Sequence, residues 1–208
     1  FDKIANKWRS EQLHFTSYDD RGLLLLDKSK SRVSLMEIEE HMLELNKILS
    51  NRHAAQRTKD ILRWINILSC IRDLLERWLL LQNEWKRLGS VFSISEIESS
   101  MPKELKRFNS LNKVWTRIVR SVTVNPNIVN VLYDDDAVRN NISYVQEQFG
   151  LCSQSLSSFL DIQRARFPRF YFITDAELLE VIGCKSNFER LDEYIGLIFS
   201  GMKKIMVT

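Results

Sequence analysis

The residues of this chain that could do chemistry by type are three histidines, three cysteines and the acid run Asp134-Asp135-Asp136. A zinc ion requires Cys or His ligands at short spacing. His14, His41 and His53 stand far apart, and so do Cys70, Cys152 and Cys184. An odd, scattered cysteine count fits a reducing compartment better than a disulfide framework. Cys70 and Cys152 fall on apolar helical stripes, where packing is the simpler role. A calcium loop of the EF-hand kind needs alternating acids, a central glycine and a terminal glutamate. The acid run has no such arrangement, so its expected role is to sit at the positive end of a helix dipole. A nucleophilic set assembled from distant positions stays open, although no local motif points to one.

Nucleotide chemistry has less support still. A phosphate-binding loop uses clustered glycines, so that backbone N–H groups reach the phosphates, and a lysine to meet them. Gly22, Gly89, Gly150, Gly183, Gly196 and Gly201 are never clustered, and Gly201-Met202-Lys203-Lys204 lacks both the preceding loop and a following Ser or Thr. No cofactor is expected in this segment. Five tryptophans, Trp8, Trp64, Trp78, Trp85 and Trp115, recur at helical spacing. They read first as core and second as anchors for a partner. Arg164, Arg166 and Arg169 read as cations near a helix C-terminus, or as a contact patch.

The elements that must position these residues are helical. Hydrophobic residues are 44% and charged residues 27% of 208, with only 3 prolines and 6 glycines, which argues against disorder and against a loop-rich or all-β fold. The net charge of +3 is mild and its signs are interleaved along the sequence, so nucleic acid is not expected. No apolar run approaches a membrane span. The chain begins at Phe1 without a signal peptide, as an excised piece of something longer would.

The spacing predicts a helix starting at Ser34, whose pairing with Glu37 has capping-box form, and carrying Leu35, Ile38, Met42, Leu45 and Leu49. A longer helix is expected from about Ala54 to Leu88, with Ile61, Trp64, Ile65, Leu68, Ile71, Leu75, Trp78, Leu81, Trp85 and Leu88 inward and Gly89 as its stop. Ser93 and Glu96 suggest a short capped turn. Pro102 opens a helix through Leu105, Phe108, Leu111, Trp115, Ile118 and Val122, ending before Asn125-Pro126. After the acid run comes a stripe of Val138, Ile142, Val145, Phe149, Cys152, Leu156 and Phe159, closed by Pro168. Residues 169–173, with three aromatics, are the strand candidate. Thr174 with Glu177, and Ser186 with Glu189, cap the last two helices, the second carrying Phe188, Leu191, Ile195, Ile198 and Met202. A second β element is expected near 13–26, as two short strands about an Asp19-Asp20-Arg21-Gly22 turn. The expectation is a mainly α, elongated multi-helix bundle with one or two short β elements. Candidate subdomain joints lie near 121–127 and 167–174, where the helical pattern breaks.

Two stretches go beyond generic helix. Trp78, Gln82, Trp85, Leu88 and Phe92, followed by Ile97, Pro102, Glu104 and Phe108, resemble W-x-x-x-Q-x-x-W-x-x-L-E-x-I-F and the P-x-E-x-x-x-F that follows it in the dynein heavy chain linker, N-terminal region 2 of that family. Arg166, Phe167, Pro168, Arg169, Phe170, Tyr171 and Phe172, with Leu178 and Leu179 behind them, resemble its R-x-x-F-P-R-F-Y-F…D-E-L-L-E-I signature. Phe199-Ser200-Gly201-Met202 is similar to a following F-x-G motif. Gly89 departs from the usual Glu, and Thr174-Asp175-Ala176 from the usual loop. The Asn125-Pro126 turn and the spacing around Gly183 and Gly201 look closer to the cytoplasmic type than to the axonemal.

The resemblance implies the amino-terminal half or more of the linker across 1–208. It would be a mechanical element between a ring of AAA+ modules and a cargo-binding tail, with no active site of its own. ATP and Mg would belong to the parent's ring. The implied partners are that ring, intermediate and light chains and a second heavy chain through the tail, and a microtubule only through the parent's stalk. Neither nucleic acid nor membrane is implied. The implied setting is cytoplasm and cytoskeleton, with a ciliary or flagellar axoneme as a further setting. The alternatives are a free-standing helical scaffold or adaptor, from which only the two signatures discriminate, and a small enzyme, which would need a pocket with convergent polar groups.

Overall fold

Helical periodicity dominates the sequence, and the computed structural model of the chain is accordingly mainly helical, with one two-stranded antiparallel hairpin. The structure describes residues 1–18, 23–50, 56–184, 194–199 and 201. By packing, the chain divides into two units, one of residues 1–84 with 111–147 and the other of 85–110 with 148–208.

The first unit opens with α1 (Asp2–Ser10), which buries Ile4, Ala5 and Trp8 at one-turn spacing. Strands β1 (Phe15–Ser17) and β2 (Leu24–Leu26) pair antiparallel, with Phe15 opposite Leu26 and Ser17 opposite Leu24. The turn expected at Asp19–Gly22 lies outside the described residues. Helix α2 (Lys28–Leu49) starts a full turn and more before Ser34. Asp27 is the reason: its Oδ1 accepts from the backbone N–H of Ser29 at 2.9 Å and of Lys30 at 3.0 Å. With the helix already begun, Ser34 is interior and its hydroxyl donates back to the Lys30 carbonyl at 3.2 Å.

Helix α3 (Thr58–Val91) bears the long stripe, with Ile61, Trp64, Leu68, Ile71, Leu75, Trp78, Leu81, Trp85 and Leu88 buried. Ile67 is buried where Ile65 was expected. Ala54, the expected start, is outside the described residues, as is His53. Gly89 does not stop the helix. A lone glycine weakens a helix without ending it, and the chain stays helical to Val91 before the Ile94 N–H closes a turn on the Val91 carbonyl at 3.1 Å. Helix α5 (Pro102–Val124) opens on Pro102 and ends before Asn125-Pro126 as expected. A π-helical turn, Asn130–Asp134, had no counterpart in the sequence reading.

In the second unit, α4 (Ser95–Ser100) forms without the Ser93/Glu96 box: its N-cap is Ile94, and the Ser93 hydroxyl donates instead to the Ser90 carbonyl at 2.6 Å. Helix α6 (Asp136–Arg166) follows the acid run, and Asp135 Oδ1 accepts from the Val138 N–H at 3.1 Å. Its stripe ends on Leu160, with Phe159 half-buried. Helix α7 (Asp175–Gly183) has the capping box expected of Thr174 and Glu177. Residues 194–198 are helical, with Ile195 and Ile198 buried. Ser186, Phe188, Glu189, Leu191 and Met202 lie outside the described residues. Gly201 has φ +95°, which explains a glycine there.

The strand expected at 169–173 does not form. Pro168–Phe172 is a 3-10 helix with Pro168 at its start. Proline presets φ near the helical value and withholds the N–H that a ladder needs. The Phe170 N–H bonds the Phe167 carbonyl at 2.9 Å, so the backbone is satisfied locally and no neighbouring strand is required. Aromatic content read as strand propensity was overridden by the proline.

Candidate functional site

The signature residues fall into separate clusters. In the first unit, Trp78 and Trp115 are both fully buried, their rings 5.6 Å apart and tilted by 58°. Neither indole N–H has a hydrogen-bond partner among the described residues, and the rings meet as a packed contact. One turn along α3, Gln82 is 4% exposed. Its Oε1 accepts from the Leu26 N–H at 2.8 Å, and its Nε2 donates to the Leu26 carbonyl at 3.1 Å. Since both backbone groups of Leu26 turn to Gln82, the Phe15–Leu26 pair is the non-hydrogen-bonded kind, and the amide stands in for a third strand on the hairpin's outer edge. The type of residue at 82 is thereby explained: one side chain must offer a donor and an acceptor together.

In the same unit, Trp8 Nε1 donates to His41 Nδ1 at 3.3 Å, with the rings edge-on at 5.9 Å. The Arg9 guanidinium lies 5.6 Å from the Trp64 ring centre. These uses of His41 and Trp8 were not foreseen, because they join positions with no sequence relation.

In the second unit, Phe92, Phe108 and Phe149 form a ladder with ring centres 5.4 and 6.2 Å apart. Trp85, Leu88 and Ile97 are buried, and Pro102 is exposed at its helix start. A Cβ at Gly89 would stand 3.6 Å from the Phe108 ring, an ordinary contact.

The second signature straddles the end of α6, the 3-10 helix and α7. Phe167 packs edge-on to Phe170 at 4.8 Å and meets Phe199 at 6.1 Å. The Arg169 guanidinium stacks 4.6 Å above Phe199, and its Nη1 donates to the Ile198 carbonyl at 3.4 Å. Tyr171 and Phe172, in contrast, are 64% and 75% exposed. Leu178 and Leu179 are buried on α7.

Arg164 does more than offset a helix dipole. Its Nη2 donates to Asp175 Oδ1 at 2.6 Å and to the Ile173 carbonyl at 3.4 Å, and Asp161 lies 3.5 Å from Nη1. It therefore ties the last turn of α6 to the first residue of α7 over the intervening 3-10 turn. The Asp175 hydrogen bond, opposed in part by desolvation and aided by the charges of Asp175 and Asp161, raises the Arg164 pKa. At the same corner the Thr174 N–H donates to Glu177 Oε2 at 2.7 Å, while the Glu177 N–H donates to the Thr174 hydroxyl at 3.3 Å. The backbone hydrogen bond from Thr174, then the one from its hydroxyl, lowers the Glu177 pKa below its ordinary 4.5.

Clefts lie within single units, among them one of about 300 Å³ in the first unit lined by Lys7, Glu11, His14 and Glu37 among others. One of about 640 Å³ in the second unit is lined by Ser90, Ser93, Asp175, Glu180 and Cys184 among others. One of about 500 Å³ in the first is lined by Arg9, Arg57, Arg63, Trp64 and Tyr133 among others. The two larger clefts are lined by no histidine, and among the described residues no group of three His, Cys, Asp or Glu side chains is placed to hold a metal. Of the signature residues, Trp78, Trp85, Leu88, Phe92, Phe108, Leu178 and Leu179 are buried and Gln82 braces backbone, whereas Pro102, Tyr171 and Phe172 are exposed.

Comparison with known proteins agrees with the signatures. The family model for dynein heavy chain, N-terminal region 2, matches residues 1–208. The chain is 30% identical to dynein axonemal heavy chain 8 of Homo sapiens over 203 residues, 98% of this chain. It is 30% identical over 179 residues, 86% of this chain, to the dynein gamma chain of the flagellar outer arm of Chlamydomonas reinhardtii. It is 26% identical over 210 residues, 98% of this chain, to the ciliary dynein beta chain of Tripneustes gratilla. The chain spans 4% of the length of each of these relatives. Their names are axonemal, flagellar and ciliary, against the cytoplasmic type that the Asn125-Pro126 turn and the glycine spacing suggested. Matched by that model from end to end, the chain belongs to the dynein heavy chain family, as its N-terminal region 2.

Proposed function

We propose that this segment is a mechanical part of the linker of an axonemal dynein heavy chain, passing conformational change from the parent's AAA+ ring toward its tail and performing no reaction itself. The observation that carries the reading is the family match over the whole chain, with signature residues that brace backbone and fill cores rather than converge on a substrate. Long helices packed through aromatic rings resist bending, as a force-bearing element must. The axonemal setting follows the relatives' names, and a cilium or flagellum is the place to look for it. On this reading ATP and Mg act in the ring, the microtubule is met through the stalk, and intermediate chains, light chains and a second heavy chain join through the tail.

Two joints are proposed within the segment, near 121–127 and 167–174. Helix α5 ends at Val124 before Asn125-Pro126, and a 3-10 turn separates α6 from α7. Bending elements are usually a few residues at element ends.

The test is a full-length motor in which the segment is replaced by a flexible Gly/Ser chain of equal length. Microtubule gliding is expected to stop while ATP hydrolysis continues. Gliding at normal speed would overturn the mechanical reading. Interhelix distances across each joint that stay constant between nucleotide states would remove the joints.

A further inference from the structure

The interleaving of charge seen along the sequence fails on one helix. Between Pro102 and Val124, α5 carries Lys103, Lys106, Arg107, Lys113, Arg117 and Arg120 against the single acid Glu104. That is +5 on one helix in a chain of net +3, so everything outside α5 sums to −2. At 3.6 residues per turn the six cations fall within an arc of about 140°. The buried side of the helix, with Phe108, Leu111, Trp115, Ile118, Val119 and Val122, lies opposite that arc. All six cationic residues are exposed.

None of the six side chains has a carboxylate or hydrogen-bond partner among the described residues. Several repel one another instead. Lys103 faces Lys106 and Arg107 at three- and four-residue spacing, and Arg117 faces Lys113 and Arg120 likewise, arrangements that weaken a helix.

We propose that this face of α5 docks a carboxylate-rich protein surface. A row of cations on a helical pitch, Lys113, Arg117 and Arg120 within the first unit, about 10 Å long, suits a helix or tail bearing Asp and Glu at matching intervals. Lys and Arg there make charge-assisted hydrogen bonds to carboxylates and speed encounter. Protein is the partner class because the arc holds no aromatic ring on which the base of a single strand would stack, and because a net charge of +3 is mild for a duplex binder. It also holds no large apolar side chain to enter a bilayer, only Val114 and Val124.

The test uses the whole chain and a fluorescein-labelled deca-glutamate peptide, read by anisotropy. The unaltered chain is expected to bind it, with affinity falling at least about tenfold between roughly 50 and 300 mM salt as the Debye length contracts. The variant K113E/R117E/R120E is expected to lose binding, whereas K28E/R32E/K47E, an equal charge reversal on α2, keeps it. Should the α5 reversal disturb circular dichroism, K113Q/R117Q/R120Q removes the cations without adding acids and is expected to weaken binding too. Equal loss in the α2 variant would reduce the effect to net charge and overturn the docking face. Tighter binding of a charge-matched RNA duplex or of phosphatidylserine vesicles than of the peptide would overturn the partner class.

Discussion

Gln82 and Leu26 are joined by a two-way amide pair, the side chain of one reproducing for the other the hydrogen bonds of a neighbouring strand. The pair is buried, so losing it strands two backbone groups away from water. Gln82→Ala is expected to destabilise the first unit by roughly 2–4 kcal/mol, the cost of one or two unsatisfied buried groups. Gln82→Glu is expected to be no better, since a carboxylate cannot donate to the Leu26 carbonyl. Hydrogen exchange at the Leu26 amide is the measurement, and unchanged protection in Gln82→Ala would sink the account.

Trp78 and Trp115 contribute by volume rather than by hydrogen bonding. Trp78→Ala should cost about 3–5 kcal/mol in urea unfolding. Trp78→Phe should cost far less, because the lost indole N–H has no partner among the described residues. Similar losses for the two variants would show that the nitrogen matters.

The Thr174/Glu177 box sets a pH response. Glu177 has a depressed pKa in the folded chain, so its contribution is present above the ordinary carboxylate range and is lost as pH falls through the lower folded value. Thr174→Ala should remove about 1 kcal/mol at neutral pH. It should also flatten the acid limb of α7 unfolding, followed by amide exchange at Leu178. An acid limb unaltered by the substitution would place the titration elsewhere.

Gly89 lies inside α3 with ordinary space for a methyl group beside Phe108. Gly89→Ala is therefore expected to stabilise the second unit by about 0.5–1 kcal/mol, through helix propensity and a less flexible unfolded chain. A lower unfolding midpoint would mean that the Phe108 ring cannot tolerate the contact.

Tyr171 and Phe172 sit outside the packing that Phe167 and Phe170 share. Phe172→Ser should move stability by no more than about 0.5 kcal/mol, whereas Phe170→Ser should cost distinctly more. Thermal unfolding of the two variants distinguishes them, and a large loss from Phe172→Ser would contradict its exposure.

Long-period features were legible in the sequence. Pro102 as a helix start, the acid run ahead of α6 and the Thr174 box all express local rules and stand as read, as does the Trp64-to-Leu88 stripe except at Ile65, which is half-buried. The misreadings share a cause, which is competition between local signals. Asp27 claimed the helix start that Ser34 seemed to own, and Pro168 defeated three aromatics. Helix α1 is legible from Ile4, Ala5 and Trp8 at one-turn spacing. The Gln82–Leu26 and Trp8–His41 pairs join residues 56 and 33 positions apart, a distance over which periodicity carries no information. Of the candidate site, residue types were readable and partners were not. Nothing in the spacing says that Arg164 would reach Asp175 while Tyr171 faced water.

The paired indoles of the first unit have an optical consequence. Two fully buried chromophores with ring centres 5.6 Å apart should emit to the blue of ordinary protein fluorescence and couple their near-ultraviolet transitions. That signature would vanish when the rings part. The chain thus carries an intrinsic reporter of whether α3 and α5 are still clasped around Trp78 and Trp115, readable without labels while strain is applied.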